Sequence, residues 1–178
     1  RPDFTLDANG VLKAIAEHRP SVIFLAYPNN PTGNLFDRSA IDAVLRAAPG
    51  LVVIDEAYLP FAQDTWMPHL RSWPNLLVLR TLSKLGLAGI RLGYLSGDPE
   101  WIAEIEKLRP PYNVNVLTAA AAELLLERHS VLEAQAKLIV NERARLERGL
   151  DALAGVRRFP SAANFVLARV PDAPRAFE

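Results

Sequence analysis

Lys84 is the residue of this sequence best suited to covalent chemistry. The chain has only four lysines, and Lys84 closely follows the apolar run 76–79, in the segment Arg80-Thr-Leu-Ser-Lys84. A lysine at such a strand end can be partly desolvated, which would free the amine for Schiff-base formation. A solvated lysine is the simpler alternative, and position alone favours it.

Three further side chains could hold an aromatic heterocycle. Asp55 ends the apolar run 51–54 and could pair with a pyridinium nitrogen, keeping that nitrogen protonated. Asn30 and Tyr58 could hydrogen-bond a phenolate oxygen of the same ring. Taken singly, Asp55 could instead be a helix N-cap, Asn30 a turn residue and Tyr58 a half-buried aromatic. Glu56 is expected to point to the opposite face, into a structural pair.

A phosphate-binding group follows the same pattern. Arg91 has the planar guanidinium that grips a phosphate through two parallel hydrogen bonds, and the hydroxyls of Thr81 and Ser83 could add donors. A surface ion pair and ordinary strand-end hydroxyls are the alternatives. Together the residues supply an amine, a carboxylate for a ring nitrogen, donors for a ring oxygen and a phosphate clamp. Those are the requirements of pyridoxal 5′-phosphate.

Short apolar runs alternate with segments of helical periodicity, which predicts an α/β fold with a mostly parallel sheet and flanking helices. The predicted strands are 21–27, 51–55, 76–81 and 91–96. The first is apolar throughout and is therefore expected to be covered on both faces. Only about ten residues separate the last two, too few for a parallel crossover, so the sheet is expected to be mixed at that edge. The polar residues then lie beyond the carboxyl ends of the strands, where such sheets bind ligands.

The pattern of predicted elements changes after Asp98, from alternating strands and helices to successive helices. Asp98 and Pro99 begin a helix that Pro110-Pro111 ends, and two more helices are predicted over 118–127 and from Ser130, where Ser130-Val-Leu-Glu133 has the pattern of a capping box. A pair of strands over 156–159 and 164–170 follows. We therefore predict part of a large ligand-binding domain over 1–116, and linking helices with part of a smaller α+β domain over 117–178. Both ends are expected to continue in a longer protein.

Composition excludes several classes of function. Twenty basic residues balance 20 acidic ones, which argues against a broad basic field for nucleic acid or for a membrane surface. The absence of cysteine excludes disulfides and thiolate chemistry and fits a cytosolic protein. Three scattered histidines make a histidine-rich metal site improbable.

Three sequence blocks resemble those of the aspartate-aminotransferase superfamily of fold type I. They are Asn29-Asn-Pro-Thr-Gly33, Asp55-Glu-Ala-Tyr58, and Thr81-Leu-Ser-Lys84 followed by Gly89-Ile-Arg-Leu-Gly93. The sequences of these blocks are most similar to those of the histidinol-phosphate aminotransferase group. The segments 111–115 and 161–166 also fit that group. The resemblance covers nearly the whole chain.

The resemblance implies a role for each site residue. Lys84 bonds covalently to pyridoxal phosphate and moves a proton during catalysis, while Asp55 pairs with the ring nitrogen. Asn30 and Tyr58 bind the ring oxygen, and Arg91 with Thr81 or Ser83 grips the phosphate. Tyr112 matches a position near the substrate. The implied reaction moves an amino group from glutamate to imidazole-acetol phosphate, within histidine biosynthesis, in a cytoplasmic homodimer.

Two departures from the family accompany the resemblance. Arg91 follows Lys84 by seven residues, one fewer than in the family's most familiar members, which leaves the geometry of Arg91 open. A glycine-rich phosphate-binding turn is expected before Arg1, and the substrate-binding arginines are expected after Glu178.

Alternative functions remain open from the sequence. Within the same fold they are an aromatic-amino-acid aminotransferase and a threonine-phosphate decarboxylase. From another class, an aminotransferase-like effector domain of a transcriptional regulator would fit the same motifs. Such a regulator would carry a DNA-binding module upstream of this chain.

Overall fold

A computed structural model describes residues 1–177 as two sheets flanked by helices. The first sheet has four strands in the order β1-β2-β3-β4, and the second has two. The helices are α1 (Ala8–His18), α2 (Arg38–Ala47), α3 (Pro99–Glu106), α4 (Val116–Glu127), α5 (His129–Asp151) and α6 (Ala173–Phe177), and the strands are β1 (Val22–Ala26), β2 (Leu51–Asp55), β3 (Leu76–Thr81), β4 (Gly93–Gly97), β5 (Arg157–Arg158) and β6 (Ala168–Arg169).

The strand directions confirm the predicted α/β sheet. β1, β2 and β3 are parallel, and β4 is antiparallel to β3, so the sheet is mixed at that edge as expected. The predicted start of the fourth strand at Arg91 is wrong, because β4 begins at Gly93. Arg91 has a φ of 54°, in the left-handed region, and this conformation is incompatible with a strand.

One face of the sheet carries the main hydrophobic core. α2 begins where the Asp37 carboxylate accepts hydrogen bonds from the backbone N–H groups of Ser39 and Ala40. Its apolar side chains Ile41 and Val44 are fully buried against the sheet. Alternate residues of the strands supply the facing surface, which α1 also covers.

The expectation that β1 is covered on both faces is wrong. Val22 and Phe24 are 44% and 69% exposed, whereas Leu25 is 7% exposed. β1 is the edge strand of the described sheet, and α1 and α2 pack only on the face that carries Leu25. An apolar run alone therefore overestimated the burial of this strand.

The helices after the sheet form in the predicted order: α3 begins at Pro99 with Asp98 as its N-cap, as predicted, whereas the starts of α4 and α5 differ from the predicted ones. Asn115 caps α4, because its side-chain oxygen accepts a hydrogen bond from Thr118 N at 2.9 Å. The capping box predicted at Ser130 is wrong: α5 begins at His129, so Ser130 lies inside the first turn and no side chain caps this end. Likewise Asp7 precedes α1 without capping it and pairs with Arg1 instead.

β5 and β6 pair antiparallel over two residues each, within the two predicted C-terminal strands. The division of the chain at residue 116 stays a prediction, and Glu178 lies outside the described residues. None of the helices within 1–177 combines the length and apolar content that crossing a bilayer requires.

A buried ion pair joins the ends of β2 and β3. Glu56 is 1% exposed and accepts a hydrogen bond from Arg80 Nε at 2.9 Å. Trp66 N donates to the other carboxylate oxygen at 2.6 Å, and the Thr65 hydroxyl donates to the same carboxylate. A buried carboxylate needs such partners because an unpaired charge in the core is strongly destabilising. The structural pairing predicted for Glu56 is confirmed.

A second polar cluster, formed by Tyr27, Arg38 and Asp64, borders the main core. The Tyr27 hydroxyl donates to Asp64 at 2.6 Å, and the Arg38 guanidinium binds the same carboxylate through two nitrogens. The hydrogen bonds from Arg38, followed by that from Tyr27, lower the pKa of Asp64. Burial and the neighbouring carboxylate raise the pKa of Tyr27. The cluster is therefore most favourable with Asp64 ionised and Tyr27 neutral.

Replacing Glu56 by glutamine should destabilise the protein. The Glu56→Gln substitution leaves the Arg80 charge without its partner, so we expect the free energy of unfolding to fall by about 3 kcal/mol. Urea denaturation followed by circular dichroism measures this change. Glu142→Gln removes an exposed pair with Arg145 and is the control, expected to leave stability unchanged. Equal stability of the two variants would contradict the role given to Glu56.

The Asp64 cluster predicts a pH dependence of stability. Because the pKa of Asp64 is lowered on folding, its contribution is present at neutral pH and disappears as the pH falls through the folded-state value, below about 4. Asp64→Asn should therefore be less stable than wild type at pH 7, and the difference should shrink in acid. Denaturation curves from pH 7 to pH 2.5 test this, with the exposed Glu123→Gln as control. A pH-independent difference would refute it.

Candidate active site

The polar residues singled out in the sequence gather at one edge of the sheet. β1, β2 and β3 are parallel, so their carboxyl ends lie at the same edge. Asp55 ends β2 and Thr81 ends β3, and the strand register places both on the face opposite the main core. Asn30 follows β1 and Lys84 follows β3 in the adjoining loops. A ligand bound here would meet residues from three strands.

Tyr58 is the residue that contacts the largest share of this cluster, because Asn30, Lys84 and Phe165 all lie against it. Its side chain is 8% exposed, and its hydroxyl accepts a hydrogen bond from Asn30 Nδ2 at 2.9 Å. The Lys84 amine lies 5.2 Å from the centre of the Tyr58 ring, a cation–π distance. The ring of Phe165 meets Tyr58 edge-on at 5.1 Å. Asn30, Tyr58 and Lys84 are therefore brought together, and Tyr58 is more buried than the half-buried alternative allowed.

Lys84 is exposed, which agrees with the solvated alternative and contradicts a partly desolvated amine. The reason is local: the chain leaves β3 at Thr81 and turns, so Lys84 stands above the sheet edge rather than within it. The turn is held by the Ser83 N–H, which donates to the Thr81 hydroxyl at 3.1 Å. An exposed amine above an aromatic face is open to an incoming carbonyl compound.

Asp55 keeps one carboxylate oxygen available. Its Oδ1 accepts a hydrogen bond from Ala57 N at 2.9 Å, and its Oδ2 accepts none within 1–177. The helix-capping alternative does not hold, because the next helical turn, Leu59–Phe61, is preceded by Tyr58. Asp55 thus offers an ionisable oxygen on the face opposite the buried Glu56.

The residues predicted to bind phosphate are only partly arranged for that role. The Thr81 hydroxyl donates to Leu92 O at 3.1 Å, so its proton is already engaged. Arg91 is exposed and its guanidinium makes a single long contact, 3.5 Å, with Ala88 O. Arg91 therefore retains most of its donors for an anion. The hydroxyl of Ser83 makes no side-chain hydrogen bond within the described chain.

Tyr112 is not brought to this cluster. It is 95% exposed, and no hydrogen bond or aromatic contact links it to the other predicted site residues in the described chain. Its backbone has a φ of 59°, in a turn that follows the two prolines. The predicted substrate role of Tyr112 stays a prediction.

The segment 161–165 contributes to the site, and sequence reasoning gave it no role there. Phe165 packs on Tyr58, and Ala162 N donates to Gly33 O at 2.7 Å. Gly33 has a φ of 78°, and a Cβ at that position would lie 2.6 Å from the Ser161 hydroxyl, so only glycine allows this approach. Neither partner is near the other in sequence, and no spacing pattern could have paired them.

A cavity of about 240 Å³ lies beside Lys84. Its apolar wall comes from Phe61, Leu132 and Ile139, and its polar groups include Gln135 and Asn164. Among residues 1–177, no carboxylate lines it. This is a space in which a small molecule could reach the Lys84 amine while its ring or side chain contacts apolar groups.

Comparison with known proteins places the chain among aminotransferases. The family model described as aminotransferase class I and II matches residues 1–177. The chain is 62% identical to histidinol-phosphate aminotransferase 1 of Ralstonia nicotianae and 58% identical to histidinol-phosphate aminotransferase 2 of Cupriavidus pinatubonensis. These alignments cover 100% of this chain and 49% and 50% of the relatives. The chain thus spans about half the length of the curated relatives it matches.

Solved structures show the same likeness. A histidinol-phosphate aminotransferase from Sinorhizobium meliloti, solved in complex with pyridoxal-5′-phosphate, superposes with a TM-score of 0.81 at 32% identity, covering 93% of this chain and 47% of that one. The enzyme of the same name from Clostridium acetobutylicum gives a TM-score of 0.84 at 26% identity, over 96% of this chain and 53% of that one. With the sheet-edge cluster and the matched family model, these likenesses lead to one conclusion: the chain belongs to the aminotransferase class I and II family.

Proposed function

We propose that this chain is part of a pyridoxal-phosphate-dependent aminotransferase that exchanges an amino group between glutamate and imidazole-acetol phosphate, giving histidinol phosphate and 2-oxoglutarate in histidine biosynthesis. The observation that carries the proposal is the gathering of Lys84, Asp55 and Tyr58 at one sheet edge. The choice of substrate is supported by the names of relatives that are 58% and 62% identical over the whole chain.

The donor set fits pyridoxal phosphate. The cofactor carries a carbonyl carbon, a ring nitrogen, a ring oxygen and a phosphate, and this edge offers an exposed amine, a carboxylate with a free oxygen, a phenol beside an amide, and an arginine with unused donors. Bound pyridoxal phosphate would supply an electron sink for negative charge developing at the substrate Cα.

The polar side chains would bind and orient the ring. Asp55 Oδ2 would accept a hydrogen bond from the ring nitrogen and favour its protonated form. The Tyr58 hydroxyl can donate to the ring oxygen because its contact with Asn30 uses it as acceptor, and Asn30 then orients that hydroxyl. Arg91 binds the phosphate, with Ser83 as a second donor. The Thr81 hydroxyl already donates its hydrogen bond to Leu92 O. Thr81 therefore stabilises the turn after β3 and has no proton left to donate to the phosphate.

Lys84 would do the covalent and proton-transfer work. Its Nζ would hold the cofactor at the carbonyl carbon, whose oxygen leaves as water, until the amine of the substrate displaces it. The released Lys84 amine would then take the proton from the substrate Cα. The cavity beside Lys84 admits a small amino acid, and its lining of amide and apolar groups suits an uncharged ring. Tyr112 is assigned to the substrate on the family motif alone.

The assembly and location belong to the same proposal. Leu108, Tyr112, Val116 and Leu117 are between 82% and 95% exposed within one short segment, which supports contact with a second copy of the chain. We expect a cytoplasmic homodimer with small-molecule partners and without nucleic-acid or membrane partners.

Steady-state kinetics of the full-length protein test the substrate. With glutamate as amino donor, kcat/KM for imidazole-acetol phosphate should exceed that for phenylpyruvate at least about tenfold, because an amide-lined cavity can hydrogen-bond an imidazole ring and leaves its amides unpaired beside a phenyl ring. Faster reaction with phenylpyruvate would favour the aromatic aminotransferase, and release of CO₂ from threonine phosphate would favour the decarboxylase.

Replacement of Lys84 tests the covalent role. Lys84→Arg keeps the charge and removes the nucleophilic amine, so kcat should fall by ~10²–10⁴-fold. Borohydride reduction followed by peptide mapping should place the reduced cofactor on Lys84 in wild type and nowhere in this variant. Lys107→Arg, at an exposed helix pair with Glu104, is the matched control and should behave as wild type. Reduced cofactor on another lysine in wild type would overturn the mechanism.

A further inference from the structure

We propose that Arg143 is a positioning residue for the Lys84 site. It fastens two loops, 161–165 and the turn after β2, around the ring of Tyr58 and so fixes the aromatic surface beneath the Lys84 amine. The inference rests on the proposed function, since it concerns the same site.

The contacts of Arg143 join segments that are remote in sequence. From α5, its Nη1 donates to Ala163 O at 2.6 Å and to Phe61 O at 3.3 Å. Arg143 is partly buried and has no carboxylate partner within the described chain. A guanidinium that binds two backbone carbonyls holds both loops at once, and hydrogen bonds from a charged donor are stronger than neutral ones.

The loop that Arg143 holds is itself well ordered by hydrogen bonds. The Ser161 hydroxyl donates to Phe165 O at 2.5 Å and accepts from Ala163 N at 3.1 Å. Ala162 N donates to Gly33 O at 2.7 Å, which ties the loop to the turn that carries Asn30. Moving Ala163 would therefore move the loop as a unit.

Both fastened loops lead to Tyr58. Phe165 supports the Tyr58 ring edge-on at 5.1 Å, and Phe61 lies three residues after Tyr58 in the same buried cluster. The opposite contacts of Tyr58 are those the chemistry uses, Asn30 at its hydroxyl and Lys84 over its ring. Arg143 touches neither Lys84 nor any proposed cofactor contact, so it acts through Tyr58.

Arg145, on the same helix, provides a comparison because its charge makes no positioning contact within the described chain. Arg145 is exposed and pairs with Glu142 one turn earlier. It has the same side chain and lies on the same helix, but within residues 1–177 it donates no hydrogen bond to either loop. Arg145→Met is therefore the matched control for Arg143→Met, and Arg143→Lys keeps the charge while allowing fewer simultaneous hydrogen bonds.

Hydrogen exchange in the cofactor-free, full-length protein gives the first readout. Loss of a charge-assisted hydrogen bond should speed exchange of the Ala162 and Ala163 amides about tenfold in Arg143→Met. Arg143→Lys should show a smaller change, and Arg145→Met none. Unchanged exchange at residues 161–165 in Arg143→Met would overturn the proposal without any reference to the cofactor.

Spectroscopy of the loaded protein gives the second readout. If Arg143 positions Tyr58, the pH midpoint of the bound cofactor's absorption change should shift in Arg143→Met and return toward wild type in Arg143→Lys. A purely structural role would lower the melting temperature and leave this midpoint in place, and that result would refute positioning. Phe165→Leu should shift the midpoint in the same direction, which keeps the test available if Arg143→Met does not fold.

Failure of this inference can be told apart from failure of the proposed function. Wild-type protein that forms no borohydride-reducible adduct on Lys84 contradicts the proposed function. Wild type that forms the adduct, together with Arg143 variants whose midpoint and exchange match those of Arg145→Met, contradicts only the role of Arg143.

Discussion

The side chains of the adjacent carboxylates Asp55 and Glu56, at the end of β2, point to opposite faces of the sheet. The arrangement of the rest of the site depends on this alternation. Glu56 points into the core and is held by Arg80 from β3, while Asp55 points to the ligand face with one oxygen free. Side chains alternate along a strand, so a slip of one residue would exchange them. It would bury Asp55 without a partner and place Glu56 where the ring nitrogen is expected. The Glu56–Arg80 pair thus stabilises the register that the proposed cofactor contact of Asp55 requires.

Tyr58 connects this register to the loops. It follows Asp55 by three residues, and its burial places the hydroxyl against Asn30 and the ring beneath Lys84. The loops after β1 and β3 thus contact one aromatic side chain supplied by the loop after β2. An aromatic ring is suited to this task because it combines a large apolar surface with a polar tip. Contacts from 161–165 then limit the motion of the ring from the far side.

Sequence alone could predict the strands, the mixed edge of the sheet and the polar residues beyond the strand ends, because these follow from local patterns. The runs ending at Asp55 and Thr81 are apolar and end in polar residues, and both strands form within the predicted bounds. Errors arose, and alternatives stayed open, where tertiary packing decides the outcome. The exposure of Phe24 depends on which face α1 and α2 cover, and the exposure of Lys84 depends on how the chain turns after β3. Arg143 was missed because its partners are backbone carbonyls, which no residue type marks.

Polar residues on one face of the sheet contribute to stability, and those on the other face would bind the cofactor. The polar clusters around Glu56 and Asp64 lie on the side of the main core, so their hydrogen bonds contribute chiefly to the free energy of unfolding. Asp55 and Thr81 lie on the other side, where the cofactor would bind. Arg143 belongs to neither set, because it holds the loop 161–165, whose Phe165 packs on Tyr58. Substitutions in these three places should therefore be distinguishable by experiment: the first changes stability, the second changes cofactor binding, and the third changes the environment of the bound cofactor.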